Sequence, residues 1–164
     1  MSLVEDFANL LTTGAIVRID VSLGPSRLPM RQLYGTSGFI LWLEDRMLHQ
    51  ATSAMGAEAT PFEQLDELFY RYISGTTLIH RRDFRCIKPE KNPVWEMKTP
   101  DLRIFGWFPM KDCFIAVFGD WADHVKDYDL YRGYRLEVRR LRRQMDLDEK
   151  WFGKGGAPDE VISS

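Results

Sequence analysis

The chain predicts an α+β fold: a small twisted antiparallel sheet packed by an N-terminal helical hairpin, with a long C-terminal arginine-rich helix. Three observations carry this expectation. From Thr76 to Trp121 the apolar residues recur with a period of two, most clearly in VWEMK (94–98), LRIFGWF (102–108) and CFIAVFG (113–119). Before that run, the segments 37–48 and 60–74 space their apolar residues as helices do. After it, Tyr131, Tyr134, Val138, Leu141 and Met145 form one helical stripe, and six arginines between Arg132 and Arg143 occupy the rest of the surface.

Each element has its own signal. Residues 2–11 read as a short amphipathic helix with Leu3, Phe7, Leu10 and Leu11 on one side, stopped near Gly14. AIVRIDVS (15–22) alternates as a strand. Gly24, Pro25, Pro29, Gly35 and Gly38 make 24–38 an irregular loop. A helix then carries Phe39, Ile40, Leu43, Met47 and Leu48 inward, and small residues at 51–59 connect it to the next. There Thr60 is the N-cap, Pro61 the first helical residue and Glu63 the partner in a capping box, with Gly75 as the stop. Residues 76–88 supply one or two strands, Thr99-Pro100-Asp101 turns between two others, and Pro109 to Asp112 turns again. CFIAVFG is apolar on both faces, as a central strand is. Three glycines and a proline make 153–164 a loose tail beyond a single domain at 1–152.

Composition narrows the function classes. A chain of 164 residues with 45% hydrophobic and 28% charged residues has the makings of one globular domain with a real core. No apolar run reaches membrane-spanning length, and MSLVEDFANLL carries acids where a signal peptide carries lysines. Cys86 and Cys113 then read as reduced thiols inside strands, which points to the cytoplasm, with a cross-strand disulfide as the alternative. The net charge of −2 opposes indiscriminate binding to polyanions. Its distribution does not oppose local binding: residues 79–113 hold eight Lys/Arg against five Asp/Glu, while residues 1–78 hold five against nine.

The candidate site is cationic. On 94–98, Val94, Glu96 and Lys98 share a face, and on 102–108 Arg103, Phe105 and Trp107 do. A hairpin closed at 99–101 brings Lys98 beside Arg103, Arg85 on an adjacent strand can join them, and Lys88 and Lys111 stand at strand ends. Such a hollow grips phosphates and stabilises charge that develops during phosphodiester cleavage. The plainer alternative is a solvated sheet face on which Glu96 pairs with Arg103 or Lys98. The C-terminal arginines admit both nucleic-acid binding and simple pairing with Glu137, Asp146, Asp148 and Glu149. His49, His80 and His124 are too far apart for a metal pattern, and the cysteines do not complete one. His124, just after the last strand, stands where a general base can act. No phosphate-binding glycine loop and no nucleophile elbow occurs, so neither a metal nor another cofactor is expected.

The run from Phe84 to Trp121 resembles the core of the RelE/HigB-like superfamily of type II toxin–antitoxin toxins. The pieces are Trp95-Glu96-Met97-Lys98, then Arg103-Ile104-Phe105-Gly106-Trp107-Phe108, then the apolar strand Phe114 to Phe118. The resemblance covers about residues 60–121. It implies a small sheet backed by two helices and a metal-independent endoribonuclease that cuts mRNA on the ribosome, using the RNA's 2′-hydroxyl as nucleophile. It also implies a cognate antitoxin as protein partner. Carried over by position, Arg103 is the strand-start arginine and Lys98 the basic residue ending the preceding strand, with Arg85 and Lys88 in a more loosely matched basic segment. Members commonly place a basic pair and a tyrosine or histidine after the last strand. This chain has two acids there, Asp120 and Asp123, with His124, Lys126 and Tyr128 as stand-ins. Two other functions fit the residues: a RelE-fold module that binds a protein or nucleic acid without cutting it, and an unrelated α+β accessory protein of a phage or plasmid.

Overall fold

A computed structural model of the chain describes residues 3–46, 53, 55–145, 147 and 156–163. It is an α+β protein. In chain order the elements are α1 (Leu3–Thr13), β1 (Ile16–Arg18), β2 (Gln32–Thr36), α2 (Ser37–Arg46), α3 (Pro61–Ser74), β3 (Phe84–Cys86), β4 (Trp95–Lys98), β5 (Leu102–Met110), β6 (Cys113–Trp121), α4 (Ala122–Asp127) and α5 (Tyr131–Gln144). The six strands form one sheet in the order β1-β2-β6-β5-β4-β3.

The sheet differs from the antiparallel one expected. It is mixed, because β2 runs parallel to β6, with Leu33 opposite Phe114. β2 lies inside the segment whose prolines and glycines predict a loop. Five residues are too few to display a period, and Leu33 and Tyr34 face opposite cores. Within the strand Gly35 leaves room for Phe39, Ile40 and Ile19, whose atoms stand 3.0–3.2 Å from where a Cβ would be. Residues 76–88 yield only the three-residue β3, and β1 is shorter than the alternation at 15–22 suggests. The expected turn at 109–112 tightens to Lys111-Asp112, since β5 continues to Met110.

Each face of the sheet buries its own core. On one, Trp95, Met97, Leu102, Ile104, Phe108 and Phe114 pack against Phe39 of α2 and Leu65, Leu68, Phe69 and Tyr72 of α3. On the other, Val94, Phe105, Trp107, Ile115 and Val117 meet Phe7 of α1, Val125 of α4 and Val138 of α5. The molecule is therefore layered helix–sheet–helix. α3 is closed at both ends as its sequence predicts. Thr60 and Glu63 complete the capping box, and Gly75 takes the left-handed conformation at φ 86°. Met47, Leu48 and most of the 51–59 connection lie outside the described residues.

Two ends of the sheet matter. At one, Lys111-Asp112 receives the C-terminal segment: Asp112 N–H donates to Val161 O at 2.8 Å, Ser163 N–H donates to Asp112 Oδ1 at 2.8 Å, and Val161 and Ile162 are buried. Residues 156–163 are thus packed, with a 3-10 turn at Pro158–Glu160, and are not the loose tail their composition predicts. The apolar pair Val161-Ile162 anchors them. At the opposite end, the β4–β5 turn, the start of α4 and the loop before β3 come together. Ala122 N–H bonds Asp101 O at 2.8 Å, and Lys98 N–H bonds Asp83 O at 2.8 Å. No described helix is long and apolar enough to cross a membrane.

Candidate nucleic-acid interface

The interface is built on one row across three strands. Lys98 on β4 stands opposite Arg103 on β5, and Arg103 stands opposite Asp120 on β6. Directly opposed residues point to the same face, so the three side chains share one side of the sheet, about 10 Å across by strand spacing. The hairpin register inferred from the 99–101 turn thus unites the two candidate cations.

Arg103 is not the open cation the sequence suggests. It is only 5% exposed, and its Nη1 donates to Thr99 O at 2.6 Å and to Leu102 O at 2.8 Å. Its guanidinium curls back under the β4–β5 turn because α4 and α5 cover that face of the sheet. Lys98 is half-buried and donates through Nζ to Arg81 O at 3.1 Å. Its pKa is lowered, first by burial and then by the charges of Arg103, Arg85 and Lys126, against an upward pull from Glu96. Three of the other six sequence-predicted positions, Arg103, Arg85 and Lys126, therefore act electrostatically on Lys98.

Arg85 has a different partner from the one expected for this face. It stands opposite Glu96 in the register and forms an ion pair with it, while its guanidinium lies 5.1 Å from the Tyr131 ring centroid. Glu96, fully buried, is thus taken by Arg85 and not by Lys98 or Arg103. Lys88 is exposed, between Cys86 and Pro89. Lys111 is exposed in the β5–β6 turn, at the far end of the sheet, and the structure does not bring it to the others.

His124 arrives from α4. Its Nδ1 lies 2.8 Å from Asp120 Oδ2, and the same oxygen accepts from the Tyr134 hydroxyl at 2.5 Å. With Nδ1–H donating to the carboxylate, Nε2 is left as the basic nitrogen. The ring is about half exposed and packs 5.1 Å from Tyr128. Burial and then the bond to Asp120 push the Tyr134 phenol well above its usual range, so it stays a donor. The i,i+4 spacing of Asp120 and His124 is the sequence signal for this dyad, read there only as two intrusive acids.

Two clefts flank Lys98. The first, about 620 Å³, is lined by Ala57, Gln64, Glu67, Arg71, Arg82, Asp83, Lys98, Thr99 and Arg103 among others. Asp83 is held by Arg71 at 3.2 Å and Arg82 at 3.1 Å. Burial works to raise its pKa, but the bonds from Arg82, the Ile79 amide and Arg71 outweigh it and leave it lowered. The second, about 470 Å³, is lined by His80, Arg81, Arg85, Cys86, Pro89, Lys98 and Gly156. Both volumes suit a ligand of nucleotide size. His80, Arg81, Arg82 and Arg71 join the candidate site only in the folded chain. The signal for the first three was the run HRRDFR at 80–85; Arg71 arrives from α3, with no local signal.

Arg81 sits at φ 74°, a left-handed conformation that costs a residue with a side chain about 1 kcal/mol. The turn is pinned by Arg81 N–H to Phe84 O at 2.7 Å and by Lys98 on Arg81 O. The arginines of α5 largely clamp the 88–92 loop. Arg135 reaches both Glu90 oxygens at 3.2 Å, Arg139 lies 3.6 Å from Glu90, and Arg142 donates to Asn92 O at 2.7 Å. Arg140 pairs with Glu137 at 2.9 Å, whereas Asp146, Asp148 and Glu149 lie outside the described residues. No family model, no curated protein and no solved structure matches the chain.

Proposed function

We propose that the chain is an endoribonuclease of the RelE/HigB-like type, the toxin of a type II toxin–antitoxin pair, acting on mRNA at the ribosome in the cytoplasm. One observation carries this reading: Asp120, the carboxylate that orients His124 of α4, stands on the same sheet row as Lys98 and Arg103. A base held by an orienting acid beside convergent cations is the equipment that RNA transesterification needs.

In this scheme His124 Nε2 takes the proton of a 2′-hydroxyl. The O2′–P bond forms as the P–O5′ bond breaks, giving a 2′,3′-cyclic phosphate. Lys98, an ammonium made more acidic by burial and by its cationic neighbours, stabilises the charged phosphoryl oxygens and gives the departing 5′-oxygen its proton. Arg103 holds the turn that places Lys98, and Arg103, Arg85 and Lys126 supply field at its ammonium. The nucleophile belongs to the RNA, so the chemistry needs no metal and no small-molecule cofactor.

The second reading is a module of the same shape that binds RNA or a protein without cutting. It is favoured by one fact: Arg103 and Arg85 already spend their guanidiniums on carbonyls and on Glu96. Primer extension on mRNA from cells expressing the chain separates the two. New 5′ ends that vanish with His124→Gln support cleavage. An intact mRNA population with the chain present at full level refutes it.

A further inference from the structure

Apart from Lys98, the second cleft holds no group of the cleavage scheme, and its lining is cationic. Arg81, Arg85 and Lys98 line it, Arg85 already paired with Glu96, and among the described residues no acid lines it. The first cleft, by contrast, contains Glu67 and Asp83. Among the described residues no acid lies within ion-pair distance of Arg81, whose side chain is exposed. Its backbone is held at φ 74°, where glycine or asparagine fits more cheaply. Beside it, His80 is part-exposed, and its ring is backed by Phe84 at 5.5 Å and Trp95 at 6.5 Å. Burial and then the neighbouring Arg81 lower the His80 pKa, so the ring is neutral at physiological pH and presents a π-face. A neutral ring on an aromatic backing, next to an uncompensated cation, has the chemistry that recognises one unit of a single strand: a base to stack and a phosphate to neutralise.

We propose that this cleft is a subsite for one nucleotide of a single-stranded RNA, its phosphate held by Arg81 and its base stacked on His80. It extends the strand beyond the phosphate held at Lys98, because Lys98 forms the wall between the two clefts. The subsite rests on the RNA-directed function proposed above. It deepens that function by making the substrate an extended strand and not a dinucleotide.

The test is fluorescence anisotropy with two labelled 2′-O-methyl oligouridylates, a hexanucleotide and a dinucleotide, neither of which can be cleaved through its 2′-oxygen. Arg81→Gly relieves the strained backbone, so its melting temperature is equal to or above that of the wild type. Its hexanucleotide affinity falls about tenfold, and the slope of log K against log salt shrinks by about 0.7, the share of one phosphate on a single strand. Dinucleotide affinity is unchanged. Arg81→Asn, which also tolerates the conformation, behaves alike, and Arg81→Lys recovers the salt slope. His80→Ala weakens the hexanucleotide several-fold with the salt slope intact. If wild type binds the hexanucleotide and Arg81→Gly binds it equally well, the subsite is refuted while the RNA-directed function stands. If wild type binds neither probe, the function and the subsite fall together.

Discussion

Arg103→Ala is expected to damage the fold before it damages any chemistry. The guanidinium Nη1 bonds two carbonyls, Thr99 O at 2.6 Å and Leu102 O at 2.8 Å, in a residue that is 5% exposed. Charge-assisted bonds of this kind contribute about 1.5–3 kcal/mol each, and the unpartnered Nε removed with them offsets part of the loss. A cost of about 3 kcal/mol follows, which for a domain of this size lowers Tm by about 6–12 °C. Lys98→Ala removes a single exposed bond to Arg81 O, costs about 1 kcal/mol and lowers Tm by about 2–4 °C. Thermal unfolding followed by circular dichroism, run beside a growth-arrest assay, separates the two. Lys98→Ala loses arrest while folded, and Arg103→Ala loses arrest together with stability. An Arg103→Ala variant melting within about 2 °C of wild type would show that the guanidinium does not hold the turn.

Other outcomes follow from the same geometry. With Lys98 as the acid of the proposed scheme, the cleavage rate is expected to be full while it is protonated and to fall as pH rises through its lowered pKa; a rate profile from pH 7 upward shows that limb starting below a free lysine's, and Lys98→Arg shifts it upward. Asp83 has a folded pKa below its unfolded one, so its contribution to stability is present above about pH 4 and is lost as pH falls through the folded value. Asp83→Asn flattens that acid limb in urea titrations taken at successive pH values. Burial pushes the Cys113 thiol up to about 12, and it is 1% exposed, whereas Cys86 is half-buried at the second cleft. Iodoacetamide at pH 8 therefore labels Cys86 slowly in the native protein and reaches Cys113 only after denaturation, as counted by intact mass.

The hairpin of β4 and β5 was legible because a period of two meets a Thr-Pro-Asp turn, and that register alone pairs Lys98 with Arg103. α3 was legible because its caps are local chemistry. β2 was not, since a short strand that pairs in parallel with a strand some eighty residues later leaves no local trace. Nor was α4 marked: Trp121 precedes it without a side-chain cap, and only a short break separates it from α5, which starts at Tyr131. At the site, face alternation placed Arg103 correctly, but which helices cover that face is a tertiary fact. Its burial therefore went unseen. Glu96 was expected to pair with Arg103 or Lys98, and the β3 register gave it Arg85 instead.

The most direct test of the central claim is incubation of purified protein with ribosome-bound mRNA, followed by mass spectrometry of the new ends. Wild type is expected to give 2′,3′-cyclic phosphate and 5′-hydroxyl ends, and Lys98→Ala or His124→Gln protein whose melting shows it to be folded is expected to give none. Uncut mRNA with folded wild-type protein, or equal cutting by wild type and both variants, would contradict that claim.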